Sequence, residues 1–341
     1  MNNKVRIGIL GCANIAKKYA IAAFQSIDNA VVTSIASRNP EKAKMYASFF
    51  SIPVHESYDS IIKNPNIDAL YIPLPIGLHK EWIIRAIKSG KHVLSEKSLT
   101  TDFQSAKEII RIARSEKKVL YENFACDFHP QHQKVLLLIA EDKIKKPFVF
   151  RGYFGIPLMH KNSFRYNKNL GGSALSEQGS YPVFMARKML QGEPLWVDAT
   201  LFYDKKKEID IKGVAQLGFK DGKIAHIVFS LDSLYQNNYS LWGKKGLINV
   251  KRAYSIPPDM KPEIELIVNE NLKESILPID APAANHFELL FEDFCETILQ
   301  KESKQKKIIN MYEKINSQAK VLEAIRISSS KNQRVWMKEI K

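Results

Sequence analysis

Val5-Arg6-Ile7-Gly8-Ile9-Leu10-Gly11-Cys12-Ala13-Asn14-Ile15-Ala16 decides how the rest of this chain is read. Its first six residues are apolar at almost every place, which predicts a strand buried on both faces, as in a parallel sheet. Gly11 then offers a tight turn, and a helical pattern runs on to about Ser26. Strand, glycine turn and helix in that order match the dinucleotide fingerprint G-x-G-x-x-G, with Ala13 and Ala16 in the second and third glycine places. Small residues there still let a pyrophosphate approach the helix N-terminus. Gly11, Cys12, Ala13, Asn14 and Ile15 are therefore candidate cofactor contacts.

The second strand, Ala30–Ala36, runs into Ser37-Arg38. An acidic residue at this strand end would hold the ribose 2′-hydroxyl of NAD, and there is none; an arginine can pair with the 2′-phosphate of NADP. Ser37 and Arg38 are read as phosphate contacts, with NADP the expected cofactor and NAD still possible. Alternation then continues: helix Pro40–Phe49, a short strand near Val54, helix Tyr58–Lys63, strand Asp68–Pro73, helix His79–Ser89, strand Lys91–Ser95, helix Asp102–Ser115 and strand Val119–Tyr121. Strands alternating with helices imply a doubly wound parallel sheet.

Two loops of that sheet stand out. Pro73-Leu74-Pro75-Ile76-Gly77 joins a strand to a helix, so Leu74 and Pro75 lie at the ligand edge; His79 beside them either faces the cofactor or caps and packs. Gly90–Leu99, GKHVLSEKSL, ends a buried strand in Glu96 and Lys97. A lysine beside a carboxylate at a strand's carboxyl end is where open α/β sheets gather their ligands. Thr101-x-x-Gln104 follows with capping-box spacing.

From Phe148 the period changes to two, in Phe148–Phe154, Ala199–Tyr203, Val214–Phe219, Ile224–Leu231 and Ile264–Val268. Such runs predict an open, mostly antiparallel sheet. Helices are expected near Gln131–Glu141, Tyr181–Leu190, Ala284–Gln300 and Ile309–Ile325. The fold class is α/β: a dinucleotide-binding domain over 1–122, then an α+β domain over 123–341 for substrate binding and oligomerisation. In the second, Glu177 and Tyr181 are four apart and share a helical face, offering a polar anchor and a proton donor.

The bulk properties narrow the function. A length of 341 residues suits two domains. No stretch approaches the ~20 apolar residues of a membrane span, and MNNK leads into a strand with no signal region, so a cytoplasmic location is expected. Three scattered cysteines suggest neither a disulfide framework nor a metal site. The net charge of +15 is spread in short lysine groups without interleaved aromatics. That speaks for anionic small molecules rather than nucleic acid.

Taken together, GILGCANIA, SRNPEKA, YIPLPIGLH, GKHVLSEKSLTTD, ENFACDFHPQHQ and LGGSALSEQGSYPV resemble the GFO/IDH/MocA oxidoreductases over nearly the whole chain. The resemblance implies a Rossmann domain followed by an α/β domain on an open sheet. It implies that Lys97 sits beside the nicotinamide and the reacting carbon, that Tyr181 exchanges the proton of the substrate oxygen, and that Glu177 holds substrate hydroxyls. Arg165 would lie near substrate or cofactor phosphate, and Glu96 and Asn123 near the cofactor. Ser98 stands where the family has a proline, often after a cis bond; Glu177 replaces an aspartate, and Asp127 stands where sugar and dihydrodiol enzymes often carry arginine. Pro73–Pro75, Thr100-Thr101-Asp102 and Glu122-Asn123 look most like the nucleotide-sugar 3-ketoreductases. The expected reaction is hydride transfer between NADP(H) and a sugar carbon. A free polyol, an anhydrosugar, a dihydrodiol or a non-catalytic regulator are the alternatives, and a homodimer or homotetramer is the expected assembly.

Overall fold

A computed structural model describes residues 4–55, 57–160, 163–270 and 273–341. Among them the first sheet has six strands: β1 (Val5–Leu10), β2 (Ala30–Ala36), β3 (Val54–His55), β4 (Ala69–Ile72), β5 (His92–Glu96) and β6 (Leu120–Asn123). Their order is β3-β2-β1-β4-β5-β6, with every pairing parallel. The order reverses between β1 and β4, and that switch point is where such sheets bind ligands. All four residues of β4 are fully buried, as a strand covered by helices on both faces requires.

Helix Phe103–Ser115 shows how local chemistry sets an element. Phe103, Ala106, Ile109, Ile110 and Ala113 form its buried stripe. Its cap is Asp102, whose carboxylate accepts from the Ser105 N–H at 2.8 Å. The expected box at Thr101 is thus corrected: the Thr101 hydroxyl bonds the Asp102 side chain instead, and a carboxylate is a strong N-cap.

The chain divides into two compact units, Met1–Ala125 with His286–Ala319, and Cys126–Asn285 with Lys320–Lys341. The first crossing lies three residues beyond the expected border at 122/123. Segment 286–319, which the sequence placed with the second domain, groups with the first. Helix His286–Leu299 explains this, because its aromatic side is matched to the first sheet's helices and strands. Phe291 stacks on Phe24 at 4.0 Å and Phe294 meets Tyr121 edge-on at 5.3 Å. The Tyr121 hydroxyl donates to Asp293 at 2.9 Å.

In the second unit the described strands are β7 (Val149–Gly155), β8 (Trp196–Asp204), β9 (Ile209–Gly218), β10 (Ile224–Ser230), β11 (Gln236–Trp242), β12 (Gly246–Lys251), β13 (Glu263–Glu270), β14 (Lys273–Ile279) and β15 (Val335–Trp336). Their order is β14-β13-β12-β11-β7-β10-β9-β8-β15. All pairs are antiparallel except β7 with β10. Helix Ser180–Met189 packs on β7 and β10. Along β10 burial alternates, with Ala225, Ile227 and Phe229 inside and His226 and Val228 exposed. One face of this sheet is therefore core and the other is open. No helix among the described residues is long and apolar enough to cross a membrane.

Candidate active site

The expected cofactor contacts of the first unit gather at one place because parallel strands end together. Gly11 follows β1, Ser37 and Arg38 follow β2, Leu74 and Pro75 follow β4, and Glu96, Lys97 and Asn123 end or follow β5 and β6. Gly11 has φ +124° and donates its N–H to the Ala36 carbonyl at 2.9 Å. A Cβ there would stand 2.8 Å from the Leu74 side chain, so only glycine fits the turn. The buried Cys12 thiol is pushed above its ordinary pKa by burial, against the Ser37 hydroxyl bonded to it and the Lys42 charge. The Ser37 hydroxyl also accepts the Asn39 N–H, and Asn39 caps helix Pro40–Phe50. Arg38 is exposed and lies against the Tyr58 hydroxyl. Where an α-helix was expected after the fingerprint, Ala16–Ala20 is a π turn leading into helix Ile21–Ser26.

Lys97 sits half-buried after β5, and the Lys97–Ser98 peptide bond is cis. Glu96 is fixed by two donors, the Tyr71 hydroxyl and the Asn123 amide, each at 2.6 Å. Burial raises the Glu96 pKa, and these two bonds together with the Lys97 charge pull the other way. Nothing in the sequence marked Tyr71, an apolar-looking residue in a buried strand; the register sets it one strand away from Glu96. Glu122 is also buried and accepts the Leu99 N–H at 2.8 Å. The alternative that His79 faces the cofactor is corrected. Its ring has no exposed surface and both nitrogens meet backbone carbonyls, so it packs rather than touching a ligand.

This edge fits a dinucleotide. Gly11 leaves the turn bare of side chain, Arg38 offers an exposed guanidinium just after β2, and the buried Asn123 Oδ1 is an acceptor with no hydrogen-bond partner.

The second unit carries the other candidates. Arg165 Nε lies 3.1 Å from Glu177 Oε2. Arg165 Nε makes no hydrogen bond there, so the contact is an ion pair. Glu177 is 4% exposed. It belongs to a π turn, Leu175–Gly179, that leads into helix Ser180–Met189. Pro182 accounts for the wide turn, since it has no N–H for the Gln178 carbonyl and its ring would clash there. Gly179 faces Phe229, where a Cβ would stand 2.9 Å from the ring. π turns of this kind often occur at functional sites. Tyr181 is half-buried, with Phe154 edge-on at 5.2 Å and Tyr254 at 6.0 Å.

Two residues the sequence did not mark hold this turn in place. Buried Asp210 accepts the Leu175 N–H at 2.7 Å. Burial raises its pKa against the Ser173 and Leu175 bonds. Arg326 donates to the Ser176 hydroxyl at 3.0 Å. Asp127 is paired with Lys188. Among the described residues, no group of three or more His, Cys, Asp or Glu side chains is placed to hold a metal ion.

A doubly wound sheet with a glycine turn at its switch point, joined to an open antiparallel sheet, defines a two-unit dinucleotide-dependent oxidoreductase. Comparison with known proteins agrees. Residues 5–124 match the model for an oxidoreductase family with an NAD-binding Rossmann fold, and residues 132–249 match the GFO/IDH/MocA C-terminal domain. A dTDP-3,4-didehydro-2,6-dideoxy-alpha-D-glucose 3-reductase of Actinomadura kijaniata is 33% identical over 300 residues, covering 88% of this chain and 89% of its own. One from Saccharopolyspora spinosa is 34% identical over 280 residues, covering 82% and 84%. A solved 3-ketoreductase from Actinomadura kijaniata, in complex with NADP and TDP-benzene, superposes with TM-score 0.89 at 31% identity, over 96% of this chain and 98% of that one. Variants of that enzyme, one with a lysine replaced by alanine and one with a tyrosine replaced by phenylalanine, are also solved with NADP and TDP-benzene. The chain belongs to the GFO/IDH/MocA family and is an NAD(P)-dependent oxidoreductase.

Proposed function

We propose that this protein reduces a keto group of a nucleotide-linked sugar with NADPH, using Lys97 and Tyr181. The observation that carries the reading is a spacing. The lysine and the tyrosine replaced in the solved variants of the Actinomadura ketoreductase stand 84 positions apart, as do Lys97 and Tyr181 (181 − 97 = 84).

NADPH, when bound, supplies the hydride that reaches the carbonyl carbon. Negative charge then develops on the carbonyl oxygen, and the work of this chain is to receive it. The Lys97 ammonium stabilises that oxygen by charge and hydrogen bond. The Tyr181 hydroxyl donates the proton that completes the alcohol. Glu177, held by Arg165, binds sugar hydroxyls. Gly11–Ile15, Leu74 and Pro75 line the dinucleotide, and Glu96 and Asn123 orient its reacting end. Ser37 and Arg38 hold the 2′-phosphate.

The test is nicotinamide absorbance with NADPH or NADH and a panel of nucleotide-linked and free keto sugars. Turnover with NADPH and one nucleotide-linked ketosugar supports the reading. Turnover confined to free polyols, or tight NADPH binding with none, overturns it in favour of a dehydrogenase or a regulator. Arg38→Ala is expected to lower the preference for NADPH over NADH by roughly tenfold or more, the worth of one charge-assisted phosphate contact. An unchanged preference would remove Arg38 from the phosphate site.

We also read the open face of the second sheet as a contact between copies of this chain. One register row crosses it through Ile224, Val149, Trp242, Leu247, Ile267 and Ile276, an apolar file with Trp242 and Ile276 more than half exposed. An exposed apolar patch of that extent marks an interaction surface. Light scattering should give a dimer or tetramer of the 38.9 kDa chain. A monomer at micromolar concentration, or a Trp242→Glu variant with unchanged mass, would refute this.

A further inference from the structure

His79 opens helix His79–Lys88, yet its side chain has no exposed surface. Nε2 lies 2.7 Å from the carbonyl oxygen of Leu74, in the loop after β4. Nδ1 lies 3.0 Å from the Ser98 carbonyl oxygen and 3.2 Å from that of Leu99, in the loop after β5. Carbonyl oxygens only accept, so both ring nitrogens are called on to donate. A neutral imidazole has one N–H to give and an imidazolium has two. From the other side, buried Glu122 accepts the Leu99 N–H at 2.8 Å. Both backbone polar groups of Leu99, two residues past Lys97, are thus bonded to side chains from other elements.

We infer that His79 is a positioning residue. Donating from both nitrogens, it ties the loop that carries Lys97 to the loop after β4 and so fixes where the lysine ammonium stands. The inference rests on the reading of Lys97 as the group that meets the substrate oxygen. A strand end alone holds its following loop through one chain connection. Here Glu122 adds a bond to the Leu99 N–H, and the His79 ring adds a tie across the two loops that flank the ligand edge. Few other side chains can do this, because the two donors must point in opposite directions from one rigid plane. A glutamine carries both N–H bonds on one nitrogen and reaches one loop well but not both.

Two variants test it. His79→Phe keeps a ring and removes both donors; kcat is expected to fall roughly 30-fold or more, as misplacement of a reacting group does. The Kd for NADPH, read by nicotinamide fluorescence, should rise by much less than kcat falls, since the ring bonds the Leu74 loop through one backbone carbonyl and the Lys97 loop through two. His79→Gln should recover about a third to a half of the lost log kcat, having one of the two bonds restored. A kcat within about threefold of wild type in both variants, or equal losses in kcat and NADPH affinity, would overturn the assignment. Should the phenylalanine variant not fold, the glutamine variant and a spectrum of the wild type decide. At neutral pH the wild type should show two slowly exchanging imidazole N–H protons that are missing in His79→Gln, and a single such proton would overturn the clamp. A wild type that reduces no keto sugar would refute the proposed reaction and leave that spectrum to judge the clamp.

Discussion

Lys97→Ala is expected to lower kcat for the keto substrate by roughly 10²–10³-fold, the cost of removing one donor aimed at a developing oxyanion. The Kd for NADPH should move by less than about threefold, because an interaction made mainly in the transition state leaves ground-state binding nearly alone. The structure says why the fold should survive. Lys97 is only half-buried, and the loop after β5 is held through its backbone by side chains of other elements. Its backbone is bonded through Ser98 and Leu99 to His79 and through Leu99 to Glu122. Glu96 keeps its Tyr71 and Asn123 donors whatever stands at position 97. Stopped-flow reduction under single-turnover conditions separates the chemical step from release. Near-normal turnover in Lys97→Ala would remove the lysine from the chemistry. Equal losses of kcat and NADPH affinity would make it a cofactor-binding residue instead.

Why could Lys97 be singled out from sequence, and Tyr71 not? Parallel strands are short continuous apolar runs, and their ends are marked by the first polar residues, so Ser37-Arg38 and Glu96-Lys97 announce the edge of the first sheet. The helices between them carry clear 3.6-residue stripes, and Tyr58–Lys63 falls where the pattern put it. Tyr71 looks like any buried strand residue; its bond to Glu96 exists only because β4 and β5 are neighbours. The second sheet was legible where it alternates and silent elsewhere. Gln236–Trp242, QNNYSLW, is not among the period-two runs, because asparagines disfavour strands. It is a strand because both neighbours pair with it and because buried Asn237 bonds the backbone of Tyr254 and Ser255. Lys273–Ile279 is exposed nearly throughout, so only its backbone pairing with β13 makes it a strand. Segment 286–319 was misassigned for a related reason. The partners of Phe291 and Phe294 lie more than 150 residues upstream, and no local pattern carries that information. At the second candidate cluster, the four-residue spacing of Glu177 and Tyr181 was visible. The Arg165 partner and the Asp210 support depend on side chains brought in by other strands and loops.

Acid should destabilise this protein well before its carboxylates titrate. His92, at the start of β5, is held down to a pKa of about 3, chiefly by burial and then by the charges of Lys118 and Lys301. Its Nδ1 accepts the Val119 N–H at 2.8 Å, a bond that the neutral ring makes and the protonated ring cannot. In the unfolded chain the same ring titrates near its ordinary 6.5. Between those two values the unfolded state binds a proton that the folded state refuses, so stability falls as the pH drops below about 6.5. From pH 7 to pH 5 this one ring costs about 2 kcal/mol. His129, lowered by burial to about 4, acts in the same direction in the second unit. The unfolding midpoint should therefore drop by on the order of 5 °C or more over that interval. His92→Asn places an amide oxygen where Nδ1 accepts and has no titration there, so its midpoint should fall by measurably less between the same two pH values. Calorimetry on both proteins at pH 7 and pH 5 decides. Parallel falls would mean that His92 is solvated or charged in the native state and that the acid sensitivity lies elsewhere. A smaller fall in the variant would place it at the amino end of β5, at the opposite end of the strand from the ligand edge.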